Sequence, residues 1–302
     1  MLLSSNLTIG KHLFEWGKKT YLMAILNLTP DSFSGDGLFV NANQEHEGEE
    51  DANLIEAAMA QARDFVEAGA DILDVGGEST RPGAALVEAE IELKRVVPVI
   101  ESLISEFDIP VSVDTYKHEV AQAALEAGAH LVNDVWGLLA DPEMAKTIAK
   151  QGASVILMHN RSSWAHAEIK DRLGGRYIGI PYDNLIEDIK RELMESVHLA
   201  RSAGIPDEKI ILDPGIGFGK TVEQNLELID LLSDIRGLGY PILYGPSRKS
   251  FIGYTLDQPP GERLAGTAAA IAVGIVRGAD IIRVHDVKFM KQVARMTDAI
   301  VR

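Results

Sequence analysis

The chain has 302 residues, 46% hydrophobic and 25% charged, with a formal net charge of −16 and no cysteine. This composition suits a soluble globular protein, and its acidic balance argues against nonspecific binding to nucleic acid or to anionic membranes. Disulfides and thiolate metal sites are excluded, and a cytoplasmic setting is expected: "MLLSSNLTIGK" lacks the basic start and apolar core of a secretory leader.

Residues 1–19 precede the first strand and read as a hairpin-like extension covering the bottom of the domain. Short apolar, β-branched runs then alternate with helical patterns. The runs lie at 21–27, 70–76, 110–115, 129–134, 153–160, 209–215, 241–245 and 279–286. They are apolar nearly throughout, as strands buried on both faces require. Helical patterns occupy 53–69, 118–128, 183–203, 222–236 and 264–277, and glycines at 69 and 128 supply helix stops. Gly-Ala-Asp, or a near variant, recurs before strands at 69–71, 128–130, 152–154 and 278–280. The apolar stretch "TAAAIAVGIV" at 267–276 is too short to span a bilayer. Eight strands alternating with helices predict a single (β/α)8 barrel domain over 1–302, with an open doubly wound sheet as the alternative. Two polar insertions, 35–52 and 161–181, come after strands and so fall at the catalytic end of such a barrel.

Polar residues gather at the C-terminal ends of the strands: Asn27, Asp74, Asp114, Asn133, Asp134, His159, Asp213, Arg283, His285 and Asp286. That rim is where barrels of this type bind ligands. For any one of them the alternative is a strand-end polar residue that caps the next helix, and for Asp74 the two readings balance.

"DPGIGFGKT" (213–221) ends like a phosphate-binding loop, but the position of the first loop glycine is Pro214, which has no N–H to donate. Its glycines read instead as a wall for a flat ligand, with Asp213 below and Lys220 and Thr221 opening the next helix. "YGPSRKSFIG" (244–253) sets two cations and two hydroxyls on one short turn. "NLTPDSFSGDG" (27–37) and "GGESTRPGA" (76–84) carry the composition of mobile lids. Arg283 and His285, two apart on a strand, share one face.

Together "AILNLTPDSFSGDG", "DVGGESTRPGA", "SVDT", "NDV", "DPGIGFGKT", "GPSRKSFIG" and "RVHDV" resemble the dihydropteroate synthase family, in the family's order, over residues 24–287. The resemblance implies a (β/α)8 barrel that condenses 6-hydroxymethyl-7,8-dihydropterin pyrophosphate with p-aminobenzoate, needs Mg²⁺, forms a homodimer and is inhibited by sulfonamides. It implies pterin contacts from Asp114, Asn133, Asp134, Met158, Asp213, Gly217, Phe218 and Lys249. It implies a pyrophosphate site of Asn27, Thr80, Arg81, Arg283 and His285, with Asn27 touching the metal, and an aminobenzoate site of Phe33, Pro82 and Ser250. Asp31, Asp114, Asp213, Lys249 and Arg283 are the catalytic set so implied. The first loop departs from the family in the order of Gly35 and Asp36. Two other readings stay open at this point: a pterin-dependent methyltransferase acting on a corrinoid, and a barrel that binds pterin without turnover.

Overall fold

The computed structural model describes residues 6–29, 47–80, 84–162, 167–170, 172–177 and 180–302. Eight parallel strands form the centre: β3 (Tyr21–Asn27), β4 (Ile72–Gly76), β5 (Val111–Asp114), β6 (Leu131–Asp134), β7 (Ser154–Met158), β10 (Ile210–Asp213), β11 (Leu243–Tyr244) and β12 (Ile281–Val284). Each pairs with its neighbour in sequence, and β12 pairs back onto β3. A parallel bridge between Leu212 and Ile242, with Leu212 N donating to Pro241 O at 3.0 Å, closes the ring between β10 and β11. The expected barrel is therefore present, and the open sheet is excluded.

Alternation along the strands sorts their side chains into two cores. Outward residues such as Leu22, Leu26, Val75, Val113, Val132 and Leu212 pack under the surrounding helices in one continuous apolar layer. Those helices are α1 (Glu47–Glu67), α2 (Ala89–Glu106), α3 (His118–Glu126), α4 (Met144–Gln151), α5 (Leu185–Ala203), α6 (Val222–Asp230), α7 (Leu232–Arg236), α8 (Ser250–Leu256), α9 (Leu264–Val276) and α10 (Val287–Val301). Inward residues at the N-terminal end form the second core. There Met23, Ile72, Leu131, Ile156, Ile211, Leu243 and Ile281 meet Leu7, Ile9, Phe14 and Trp16.

Those last four come from the N-terminal extension, an antiparallel hairpin of β1 (Asn6–Ile9) and β2 (His12–Glu15). Phe14 and Trp16 pack on Tyr21 at ring-centroid distances of 4.6 and 5.7 Å, and Glu15 N donates to the Tyr21 hydroxyl at 2.7 Å. A fully buried large apolar side chain contributes about 1.5–3 kcal/mol, so this plug stabilises the barrel floor.

The Gly-Ala-Asp repeat is helix-ending geometry. Gly69 and Gly128 take left-handed φ of +90° and +109°, and the following alanines donate back to Phe65 O and Ala124 O. Gly152 and Gly278 repeat the pattern, which satisfies carbonyls that each helix end leaves open.

Two expectations need correction, and one segment gains a structure that its sequence did not specify. The helix expected at 222–236 breaks at Leu231 into α6 and α7. The 35–52 segment is not all insertion, because α1 already begins at Glu47. The polar stretch 161–181 contains a second hairpin, β8 (Ala167–Lys170) with β9 (Gly174–Tyr177). It reaches α8, where Tyr254 hydroxyl donates to Gly174 O at 3.3 Å and Arg176 stacks 4.3 Å over the Tyr254 ring.

Candidate active site

The polar end of the barrel begins two residues beyond the apolar floor. Ile72 is followed inward by Asp74, Leu131 by Asn133, Ile211 by Asp213, and Ile281 by Arg283. Arg283 crosses the interior: its Nε donates to Asp74 Oδ2 and its Nη2 to Asp114 Oδ2, both at 2.6 Å. Asp74 Oδ2 also accepts from Asn133 Nδ2 at 3.1 Å. With the Asn133 amide nitrogen as the donor, the Asn133 carbonyl oxygen is left for a ligand.

The cluster is charged, buried and incompletely satisfied. Asp74 Oδ1 and Asp114 Oδ1 are buried with no hydrogen-bond partner. Burial pushes Asp114 up to about 7, with Arg283 opposing. Burial also raises Asp213, against the pull of Lys249 and a 2.7 Å hydrogen bond from Gly215 N. Burial works against the charge on Arg283, yet Asp74 and Asp114 hold its pKa above arginine's ordinary value. Orphaned buried acceptors cost folding free energy and mark a place where a ligand's N–H groups fit.

One wall of the mouth is the turn after β10. Lys249, at the start of α8, donates its Nζ to Ile216 O and lies 4.6 Å over the Phe218 ring. A Cβ built on Gly217 would stand 3.0 Å from Lys249 Cδ, so that glycine admits the lysine stem. Burial lowers Lys249 to about 8, opposed by Asp213. Met158 ends β7 in register with Asp213 and is buried. Opposite, a Cβ on Gly76 would lie 3.5 Å from both Asn27 Oδ1 and Asp114 Cβ, which brings Asn27 beside the cluster. His285 Nδ1 lies 3.1 Å from Ser247 Oγ. The neighbouring Arg248 grips Asp286, with Nε at 2.9 Å and Nη2 at 2.6 Å, which ties the turn after β11 to the end of β12.

The structure thus brings together Asp114, Asn133, Met158, Asp213, Gly217, Phe218, Lys249 and Arg283, with Asn27 and His285 at the rim and Ser250 opening α8. Asp134 does not join them. It lies on the outer face of β6, where its carboxylate accepts from Trp136 N and Leu138 N, each at 2.8 Å. Thr80 ends the described root of the second loop, which is pinned: Lys117 bridges Glu78 and Glu92, and Arg95 donates to Gly77 O at 2.8 Å. Asp31, Phe33, Arg81 and Pro82 lie outside the described residues. Asp74 belongs to the cluster as well, and its carboxylate in the middle of an apolar strand, on the inward phase, is the sequence signal for it.

Residues 23–285 match the family model described as pterin binding enzyme. A dihydropteroate synthase of Clostridium beijerinckii is 49% identical, over 97% of this chain and 99% of its own length. The crystal structure of a Clostridium difficile dihydropteroate synthase, determined in the presence of pteroic acid, is 48% identical with a TM-score of 0.83, covering 96% of this chain and 99% of that one. A Xanthomonas albilineans dihydropteroate synthase solved with 4-aminobenzoic acid is 37% identical with a TM-score of 0.84, covering 98% of both chains.

Proposed function

We propose a division of labour within the mouth, from the premise that this chain belongs to the pterin-binding enzyme family and is a dihydropteroate synthase. The reaction joins 6-hydroxymethyl-7,8-dihydropterin pyrophosphate to p-aminobenzoate and releases pyrophosphate. The observation that carries the assignment of roles is the set of buried acceptors, Asp114, Asp213 and the Asn133 carbonyl, facing one lysine across a glycine-rich wall.

In this reading Asp213, Asp114 and Asn133 accept from the pterin's ring N–H and amino groups, while Lys249 donates to its carbonyl oxygen and a ring nitrogen. Phe218 and Met158 flank the ring. Asn27, Thr80, Arg81, Arg283 and His285 receive the pyrophosphate, Arg283 with the Nη1 edge that its two carboxylates leave unused. Ser250, Phe33 and Pro82 border the aminobenzoate. Asp31 belongs to the first loop, and closure of both loops excludes water from the reacting centre.

The donor set fits magnesium of one kind. Among the described residues no group of three or more His, Asp or Glu side chains could hold a metal, and the Asn27 side chain makes no hydrogen bond to any of them. One amide oxygen suits a hydrated Mg²⁺ that arrives with substrate phosphates, and Asn27 would hold it. When bound, the ion neutralises charge building on the leaving pyrophosphate.

The side chains support early departure of that group. Asp114 and Asp213 bring negative potential to the ring as positive charge develops on it, and Arg283 and His285 take the departing oxygens. The neutral aromatic amine then needs no strong base. Single-turnover experiments without p-aminobenzoate test the order: the reading expects pyrophosphate to appear, and strict dependence on the amine would refute it.

A homodimer and a cytoplasmic location complete the proposal. Val273, Val276, Phe289, Met296 and Ile300 leave a run of exposed apolar side chains on α9 and α10, which supports pairing through these helices. Light scattering should give twice the chain mass, reduced to one in Phe289→Asp. Among the described residues no helix is long and apolar enough to cross a membrane.

A further inference from the structure

The assigned roles leave one deeply buried lysine unused. Lys220 is 2% exposed, and its Nζ donates to Gly215 O at 2.9 Å and Phe218 O at 3.0 Å and lies 2.9 Å from His159 Nδ1. An ammonium has three N–H donors and no acceptor, so these contacts use all of it. Burial drives the amine well below lysine's ordinary range, against the attraction of Asp213.

The partners of Lys220 are fixed in turn. With its Nδ1 lone pair given to Lys220, His159 carries its proton on Nε2, where Glu192 Oε2 accepts at 3.0 Å. Burial and the nearby Lys220 lower His159 to about 4, so the ring stays neutral. Arg161 grips Glu192 through Nε, at 2.9 Å, and Nη2, and its guanidinium lies 4.1 Å over the Tyr182 ring. Tyr182 hydroxyl donates to Gly219 O at 3.1 Å.

All of this lies beneath the turn that walls the mouth. A Cβ on Gly215 would overlap the His159 carbonyl oxygen, and one on Gly219 would overlap the backbone of Arg161 and Ser162. The turn therefore rests directly on residues 159–162, and any side chain at either position would lift it. From above, Lys249 holds Ile216 O and covers Phe218. Two lysines grasp one short turn from opposite sides, and only the upper one faces the mouth.

We propose that Lys220, braced by His159, Glu192 and Arg161, is a positioning residue that sets the curvature of the 214–219 turn so that Asp213 and Phe218 meet the pterin together. The inference deepens the synthase reading and rests on it. It predicts a selective defect: pterin recognition suffers while the aminobenzoate end, built from other loops, does not.

The test compares Lys220→Met with Thr221→Ala. The second variant removes the capping box that Thr221 forms with Gln224 at the start of α6, while keeping Lys220 and the bond from Gly217 N to Asn225 Oδ1 (2.6 Å) by which that helix also holds the turn. Calorimetric titration with the pterin pyrophosphate and steady-state kinetics are read alongside Tm. Lys220→Met should raise the Kd for the pterin pyrophosphate about tenfold or more and leave KM for p-aminobenzoate unchanged. Thr221→Ala should lower Tm and change neither. A Lys220→Met variant with lowered Tm and wild-type pterin affinity, or one weakened equally toward both substrates, overturns the inference. Should Lys220→Met not fold, His159→Gln, which keeps Lys220 and removes its ring partner, must raise the pterin Kd in the same direction; an unchanged value overturns it. Wild-type protein that binds the pterin but makes no dihydropteroate would end the synthase reading and leave this affinity test intact. Wild-type protein that binds no pterin ends both.

Discussion

The two ends of the barrel interior are built on the same eight strands and obey opposite rules. At the floor, Ile72, Leu131, Ile211 and Ile281 meet the N-terminal hairpin in an apolar plug. One inward step along the same strands, Asp74, Asn133, Asp213 and Arg283 replace them, and buried acceptors go without partners. Folding gains free energy at the first layer and gives some back at the second. Stability and ligand recognition are thus separated by two residues of strand, and substitutions at the two ends should fail in different ways.

The largest effect expected is at the floor. Phe14→Ala removes a buried ring from the plug and should cost about 3–5 kcal/mol in denaturant unfolding. KM for both substrates should stay near wild type in the protein that remains folded. A changed pterin KM would mean that the floor also shapes the mouth.

At the mouth, Asp213→Asn should lower kcat/KM for the pterin pyrophosphate about 100-fold or more, as expected when a buried charged acceptor for the ligand is lost. Its Tm should hold or rise, because burial already disfavours the Asp213 carboxylate. A matching fall in Tm would break the separation.

The same contrast has a pH signature. Asp114 accepts when ionised, so activity through it is lost as pH falls through about 7. Lys249 donates when protonated, so activity through it is lost as pH rises through about 8. The profile of kcat/KM for the pterin substrate, which reports the free enzyme, should be a narrow bell between those limbs. Asp114→Asn should shift the acid limb away from about 7, leaving whatever Asp213 contributes, and a limb unchanged at about 7 would belong to another group.

The smallest effect lies outside both ends. Arg172 pairs with Asp257 between the β8–β9 hairpin and α8, and both side chains are exposed. Arg172→Ala should change stability by less than about 1 kcal/mol in thermal unfolding.

The sequence announces the floor more clearly than the mouth. Apolar runs at regular intervals mark all eight strands, since a strand buried on both faces has little other composition open to it. Strand phase also identifies Asp114, Asn133, Asp213 and Arg283 as one group once the barrel is assumed. Phase equally shows why Asp134 fails: it is one residue out of step, and its carboxylate caps the following turn. The helices Ala89–Glu106, Met144–Gln151 and Val287–Val301 are not among the expected helical patterns; the first even accommodates Pro98 in its interior. The brace under the wall is illegible for a different reason. His159 and Glu192 meet across 33 residues and His159 and Lys220 across 61, distances that only the closed barrel brings together. The Gly-Lys-Thr tripeptide therefore reads as a failed phosphate loop, while its lysine faces down and its threonine caps α6.

The measurement that bears most directly on this account is dihydropteroate formation by the purified chain, with the pterin pyrophosphate, p-aminobenzoate and Mg²⁺, beside Lys249→Ala and Phe14→Ala. The account predicts product from wild type, near-complete loss in Lys249→Ala with its Tm intact, and retained activity with a lowered Tm in Phe14→Ala. Product formation that survives Lys249→Ala, or that fails in a folded Phe14→Ala, would contradict it.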